Sequence, residues 1–405
     1  MSTCTPNRST SGKVLIPVSC PPRRISHRVL TGLMGLVFFS WFSACRTESV
    51  PNDTTEASAA EQVVTNPSPQ TDLPSFSVNV AGLRLRAEHG PDADVIRVLE
   101  QGETLYDLQT VSDYTTPIRL RGIEFNEPWI KVRTTRGEEG WVYGGALHAE
   151  LNGSVSTAFL LMEKRLTTLF GEELQMQVST YRDSFTQIQT ADEFAQVYEQ
   201  GIRLRNALTT PLERAIEVGN TNALPDLFWL AQVMPGFQPT LVAEGTSYYL
   251  FADYGDWLDK AAGTPGTMDD DFVDLAIQFY QGDSVEYFYP AFFLQTWDYG
   301  GHSLLGRGIH LELLLGIEAL QARYPGQFAE TTRTFLQQLI DDMTAAHVTY
   351  WEPAEVIVEE LGQIAEKEWS VLSREHIIAI KTRLRQFREP EKYNLQTNLK
   401  SGLAQ

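Results

Sequence analysis

Cysteine is nearly absent: three in 405 residues, at positions 4, 20 and 45. So few thiols exclude a disulfide-built scaffold. Positive charge is also short, with 32 Lys and Arg against 52 Asp and Glu, a net charge of −20. Such a surface repels phosphate backbones, so no nucleic-acid partner is expected. It also argues against direct electrostatic binding to an anionic membrane or wall polymer. No helical-repeat period recurs, which excludes a solenoid of known type. No calcium-loop spacing is present and no cofactor is expected. Acidic residues are missing altogether before Cys45, while Arg8, Lys13, Arg23, Arg24 and Arg28 all stand there. Without those five, 27 basic face 52 acidic residues, a balance of −25.

What is there begins with one apolar run. Residues 29–44, VLTGLMGLVFFSWFSA, follow the basic RRISHR. This is the order of a signal peptide, and the run is short for a membrane-spanning helix. It ends on Phe42-Ser43-Ala44-Cys45, which resembles the bacterial lipobox, with Phe42 in place of the usual Leu. The resemblance implies cleavage after Ala44, a diacylglycerol on the Cys45 thiol and an acyl chain, such as palmitate, on its new amino group. An uncleaved anchor with an incidental cysteine is the alternative. Cleavage would leave Cys45 as the single remaining cysteine, and several acyl chains give stable anchoring. Position 46 is Arg rather than the Asp of the familiar inner-membrane retention signal, so the expected location is the outer membrane, facing the periplasm.

Residues 45–75 contain no aromatic side chain and are rich in Ser, Thr, Pro and acids. They read as a flexible tether with an end-to-end span on the order of 30 Å. From 76 to 148 the apolar period becomes two: Val78, Val80, Leu83 and Leu85, then Val95–Leu99, Trp129–Arg133 and Gly140–Tyr143, with turns at Gly90-Pro91, Gly102 and Arg136-Gly137. Short strands so spaced predict a small all-β barrel.

The same residues resemble the bacterial SH3-like (SH3b) family in LRLRAEHGPDADVIRVLEQGETL, WIKVR and GEEGWVYGGAL. Arg84 stands where Asn is common, and an insert from Ser112 to Pro128 predicts a longer loop beside any ligand groove. Domains of this family often bind cell-wall peptides along an aromatic groove. Tyr106, Tyr114, Trp129, Trp141 and Tyr143 are the candidate ligand-binding residues, since Trp and Tyr offer rigid area with a polar handle. Trp129 and Trp141 read equally as core and seam residues, and the domain as a spacer.

Residues 155–390 predict a larger, irregular all-α bundle of nine to eleven helices, making the chain multidomain, with 391–405 a flexible tail. Leu160–Leu169 opens one helix that Gly171 stops, and 191–218 gives another, broken or kinked at Pro211. LPDLFWLAQV is a short segment between prolines. Further helices are expected over 246–262, 269–281, 303–322, 326–350, 354–368 and 373–388. In the last, Ile377, Ile378, Ile380, Leu384 and Phe387 would oppose an outward face of Lys381, Arg383, Arg385 and Arg388.

The densest polar cluster runs from Asp298 through His302 to His310 and Glu312. A hydrolase would use a histidine as base and Asp298 as orienter. Residues 302 and 310 on one helix would stand about 12 Å apart, too far to share a metal. No Ser or Cys nucleophile motif accompanies them, so a Gly-rich loop opening a helix is the plainer reading. Asp269–Asp271 reads as helix capping, Asp253, Asp256 and Asp259 as a solvated stripe, and Tyr287–Phe293 with Trp297 as core or pocket lining. The expected function is that of a lipid-anchored envelope protein that binds or scaffolds, with peptidoglycan or an envelope protein as partner. The alternative is an envelope enzyme, such as a wall hydrolase, with catalysis in the helical part.

Overall fold

Seven strands come first, in a computed structural model that describes residues 73–151, 157–215, 226–242, 247–280, 285–286, 288–296 and 300–399. Residues 1–72, which hold the expected signal segment, Cys45 and most of the expected tether, lie outside the described residues, as do Tyr287, Trp297 and Asp298, whereas Ser75 at the tether's expected end already belongs to a strand. The strands are β1 (Ser75–Val78), β2 (Leu83–Arg86), β3 (Val95–Leu99), β4 (Thr104–Leu120), β5 (Ile123–Thr134), β6 (Glu139–Tyr143) and β7 (Leu147–Ala149). The apolar alternation is interrupted between Val80 and Leu83, where Gly82 takes a positive φ of 74° and separates β1 from β2. The sheet order is β3-β2-β6-β5-β4-β1-β7, antiparallel throughout. Leu85, Leu105, Ile130, Val132 and Val142 are fully buried on its inner face. Alternation of side chains puts their neighbours on the outer face. The last strand pairs with the first, Phe76 opposite Ala149, so β7 and β3 form the two edges of the sheet.

The Ser112–Pro128 insert is not a loop, contrary to expectation. It extends β4 and β5 into a long hairpin, paired from Thr115↔Pro128 out to Leu120↔Ile123. The tip is the two-residue turn Arg121-Gly122, with φ of 49° and 80°. Two positive φ values in a two-residue loop match the strand twist, which is why the ladder runs to its end.

The helices are α1 (Thr157–Gln187), α2 (Ala191–Ala215), α3 (Leu230–Val233), α4 (Tyr254–Ala261), α5 (Met268–Phe279), α6 (Ile309–Arg323), α7 (Ala329–Thr344), α8 (Ala354–Glu366) and α9 (Arg374–Phe387). α1 is two segments meeting at Gly171, whose φ of 82° and ψ of 167° no helix accommodates. Its expected stop is therefore a corner. α2 runs through Pro211 and ends four residues later, so the proline does not end it.

The helical part is not all-α. β8 (Phe237–Val242) pairs with β9 (Ser247–Ala252), and β10 (Phe293–Gln295) with β11 (Gly301–Ser303). The expected helix 246–262 is thus a strand and a short helix. Tyr248, Tyr249 and Phe251 favour an extended, half-covered surface once β8 supplies a partner. Asp253 then caps α4, its Oδ1 accepting from the Gly255 amide at 3.0 Å. The helix expected over 303–322 begins only at Ile309, because Gly306 and Gly308 hold positive φ of 101° and 83° before it. Residues 391–399, read as tail, bond back to the body: the Tyr350 amide donates to the Gln396 carbonyl at 2.8 Å, and the Asn398 amide to that of Glu352 at 2.9 Å.

On α9 the expected faces need correction. Arg383 is buried, donating to the Ala345 carbonyl and the Tyr350 hydroxyl, each at 3.0 Å, with its guanidinium over the Tyr350 and Phe387 rings. Ile378 is exposed instead.

The described residues from Pro74 onward belong to one compact unit. The join between sheet and helices is a buried ion pair, Arg165 Nε of α1 to Glu127 Oε1 of β5 at 2.8 Å. Arg165 also donates to the carbonyls of Gly144 and Leu147, at 3.1 and 2.9 Å. A Cβ on Gly144 would stand 2.7 Å from Leu161 and 2.9 Å from the Pro128 carbonyl, so glycine permits the close approach. Gln232 of α3 completes the seam, bonding the Leu151 amide and the Ala149 carbonyl. The helical core centres on Trp257, fully buried, with the rings of Phe185, Phe194 and Tyr198 each at 5.0 Å.

Candidate functional site

Cross-strand pairing sets the outer face of the sheet. Thr110, Lys131, Trp141, Arg86 and Val95 stand opposite one another in a row across five strands, and Trp129 faces Tyr143 in the next row. Paired residues project to the same side, so this row defines one surface.

Three rings meet there. The His89 ring lies 5.0 Å from that of Trp141 and 5.4 Å from that of Tyr114, edge-on in both cases. Edge-to-face packing is the favoured contact between such rings. Tyr114 reaches the turn because residue 90 is glycine at φ 128°; a Cβ there would stand 3.0 Å from the tyrosine oxygen. The Tyr114 hydroxyl donates to the His89 carbonyl at 3.1 Å, and its oxygen lies 3.2 Å from His89 Nδ1. A hydroxyl donating to the carbonyl keeps its lone pairs free to accept from the ring nitrogen. His89 and Tyr114 are exposed and Trp141 is half-buried. The patch can therefore offer flat apolar area and ring-edge hydrogen bonds to a ligand.

Behind the patch the other aromatic candidates are structural. Trp129 is 4% exposed and donates from Nε1 to Thr116 Oγ1 at 3.0 Å, with the Arg86 guanidinium over its ring. Tyr143, 3% exposed, sits edge-on to Trp129 at 5.7 Å. Its hydroxyl reaches the carbonyls of Thr116 and Phe125, at 2.7 and 3.0 Å, and so ties the insert hairpin to β6. Burial and the neighbouring Glu127 push this phenol far up, so it stays protonated. Tyr106 lies elsewhere on β4, opposite Ser75 and Arg133, with no ring contact to the trio among the described residues. The structure thus gathers Tyr114 and Trp141 and separates Tyr106, Trp129 and Tyr143 from them. His89 was not singled out from sequence; its place in the Gly-Pro turn of an SH3-like pattern was the available signal.

In the helical part, the two histidines belong to different networks. His310 is fully buried, with Nε2 2.8 Å from Asp342 Oδ2 and its ring against Phe292. Ser303 Oγ donates to the same carboxylate oxygen at 2.5 Å. Glu360 accepts from the amides of Gly306 and Leu311, at 2.5 and 3.1 Å. Asp342 and Glu360 therefore pin the glycine-rich approach to α6 against α7 and α8. His302 bonds Thr349 Oγ1 at 2.8 Å and stacks on Trp351. Asp298 lies outside the described residues. Among the described residues no three His, Cys, Asp or Glu side chains group as a metal site. Open grooves between α1 and α2 (450 Å³) and between α2 and α7 (470 Å³) include neither histidine.

The acidic residues read as capping have specific partners. Asp269 accepts from Thr264 Oγ1 at 2.5 Å, and Asp271 pairs with Arg323 at 2.7 Å. Phe292 is core, whereas Tyr289 and Phe293 stack on each other at 4.7 Å, half-buried.

No curated protein and no solved structure matches the chain. A family match does exist for the part that carries the ring patch: residues 81–148 match the bacterial SH3 domain family.

Proposed function

We propose that the chain is a lipid-anchored protein of the cell envelope whose SH3 domain holds peptidoglycan stem peptides on the patch of His89, Tyr114 and Trp141. The observation that carries this reading is that patch: three rings in contact on the outer face of a domain whose relatives often bind wall peptides. Aromatic side chains at the centre of an interface supply most of its binding energy. An extended peptide laid across the row from Thr110 to Val95 meets Trp141 at its middle. The helical part serves as the body that carries the domain.

The test is co-sedimentation of the full chain, in detergent, with purified peptidoglycan. Trp141→Ala is expected to weaken retention by about tenfold or more, the usual cost of losing a central aromatic contact. Tyr114→Ala should weaken it less, since its ring is a flank of the patch. Equal retention of wild type and both variants would remove the patch from the reading. Retention by an envelope protein but not by peptidoglycan would replace the ligand.

The anchor is placed on Cys45 by the lipobox-like sequence. Cys45→Ser is expected to abolish incorporation of labelled palmitate and to shift the protein out of the membrane fraction. Labelling that survives the substitution would sink the lipoprotein assignment.

A further inference from the structure

Helix α9 carries a basic stripe in a chain whose net charge is −20. Arg374, Ile378, Lys381, Arg385 and Arg388 follow one another at steps of four, three, four and three residues. At about 100° per residue, all five fall within a band of about 80°. Each is exposed, Ile378 to 54%. Arg388 continues the helical backbone at φ −72° and ψ −20°. Ile380, Arg383 and Phe387 occupy the opposite, buried side. Among the described residues none of the four stripe cations pairs with a carboxylate; Arg385, for example, bonds the Lys381 carbonyl and Thr382 Oγ1. Of the acids that adjoin the stripe in sequence, Glu375 is held at the helix start beside Ser373, Glu389 pairs with Lys392 at 2.6 Å, and Glu391 follows in the turn.

We propose that this face of α9 seats on an anionic bilayer surface. The overall acidity argues against such a contact, but screening confines each charge to about 8 Å at physiological salt. A local stripe therefore acts on what it touches, largely free of acids on other faces. Each basic residue beside an anionic leaflet raises partition about fivefold. The stripe is straight and about 20 Å long, which suits a plane. Ile378 selects between planes and polymers. An exposed isoleucine amid four cations gains nothing from a linear polyanion, whereas at a bilayer it enters the boundary between headgroups and acyl chains. This contact is independent of both the wall-peptide site and the Cys45 lipid.

The experiment measures partition of the full chain onto vesicles of phosphatidylcholine alone and of phosphatidylcholine mixed with phosphatidylglycerol. The apolar run 29–44 and the five basic residues before it act alike in wild type and variants, so the change in ratio between them isolates the stripe. The wild-type ratio is expected to exceed about thirtyfold at low salt and to collapse at high salt. Lys381→Gln with Arg385→Gln should lower it about twenty-five-fold. Arg374→Gln with Arg388→Gln, at the stripe ends, provides the same loss of charge by a separate route. Ile378→Ser should weaken mixed-vesicle binding several-fold and leave heparin retention unchanged. A wild-type ratio near one, or a ratio that both double variants preserve, overturns the proposal. Charge-dependent heparin capture without a vesicle preference overturns it in favour of a polyanion partner.

Discussion

Replacing Arg165 by leucine is expected to destabilise the folded chain by about 3–5 kcal/mol, the usual cost of leaving one member of a buried ion pair alone. Glu127 is fully buried and Arg165 is 3% exposed, so water cannot take the place of the missing guanidinium. The carbonyls of Gly144 and Leu147 lose the Arg165 donor in the same step, although that of Gly144 keeps the Leu147 amide. The pH dependence has a defined sign. Burial holds the Glu127 carboxyl above its ordinary value of 4.5, and Arg165 draws it back. A folded-state value above the unfolded one means that the folded form binds the proton first. Its contribution is thus favourable in acid and declines as pH rises from about the unfolded value through the folded one. Without Arg165 the window extends upward, so the variant's deficit should grow between mildly acidic and neutral pH. Denaturant unfolding at several pH values measures it. Glu127→Gln added to Arg165→Leu should recover part of the loss, since no buried charge remains. A single variant within about 1 kcal/mol of wild type would show that the pair is not a principal tie between sheet and helices.

Trp257→Ala should cost about 3–5 kcal/mol, the range for deleting a large aromatic side chain from a packed core. The ring contacts Phe185, Phe194 and Tyr198 at once, drawing residues from α1, α2 and α4 into one cluster. Its Nε1 also donates to the Gly236 carbonyl at 2.9 Å. Gly236 in turn exists to admit the indole: it has a φ of 82°, and a Cβ on it would stand 2.6 Å from the ring. Trp257→Phe keeps much of the volume and removes one of two hydrogen bonds to that carbonyl, which retains the Asp253 amide at 2.9 Å, so a smaller loss of about 0.5–1.5 kcal/mol is expected. Met176→Ala, at a 59% exposed position, serves as the control and should stay within about 0.5 kcal/mol. Shifts in the guanidinium midpoint report all three.

Elements whose signal is local were readable in the sequence. α5, α8 and α9 begin and end within two residues of where periodicity placed them, because each buries a complete apolar stripe. The strands around Val95 and Trp129 followed from alternation in the same way. What the sequence hid depends on partners far along the chain. The aromatic run Tyr248–Phe251 suits helix or strand, and β8 decides it. Arg383 looks like one more exterior cation until Tyr350 and Ala345 supply it with a buried socket. The site divides similarly. Tyr114 and Trp141 stood out as aromatic residues, but only the Arg86↔Trp141 pairing brings the His89 turn beside them. Nothing local marks Glu127 as the partner of Arg165, since neither residue has a spacing that announces the other.

The pairing of β1 with β7 bears on how this protein comes into being. Phe76 and Ala149 stand about seventy residues apart in sequence, and the sheet gains its edge ladder only when they meet. Contacts of such long separation form late, after the chain between them is ordered. A polypeptide emerging amino end first, from a ribosome or a translocation channel, therefore cannot finish its first domain as that domain appears. Arg165 emerges later still, so Glu127 must wait unpaired for the opening turns of α1. Folding of this stretch therefore lags its emergence until both β7 and the opening turns of α1 are available.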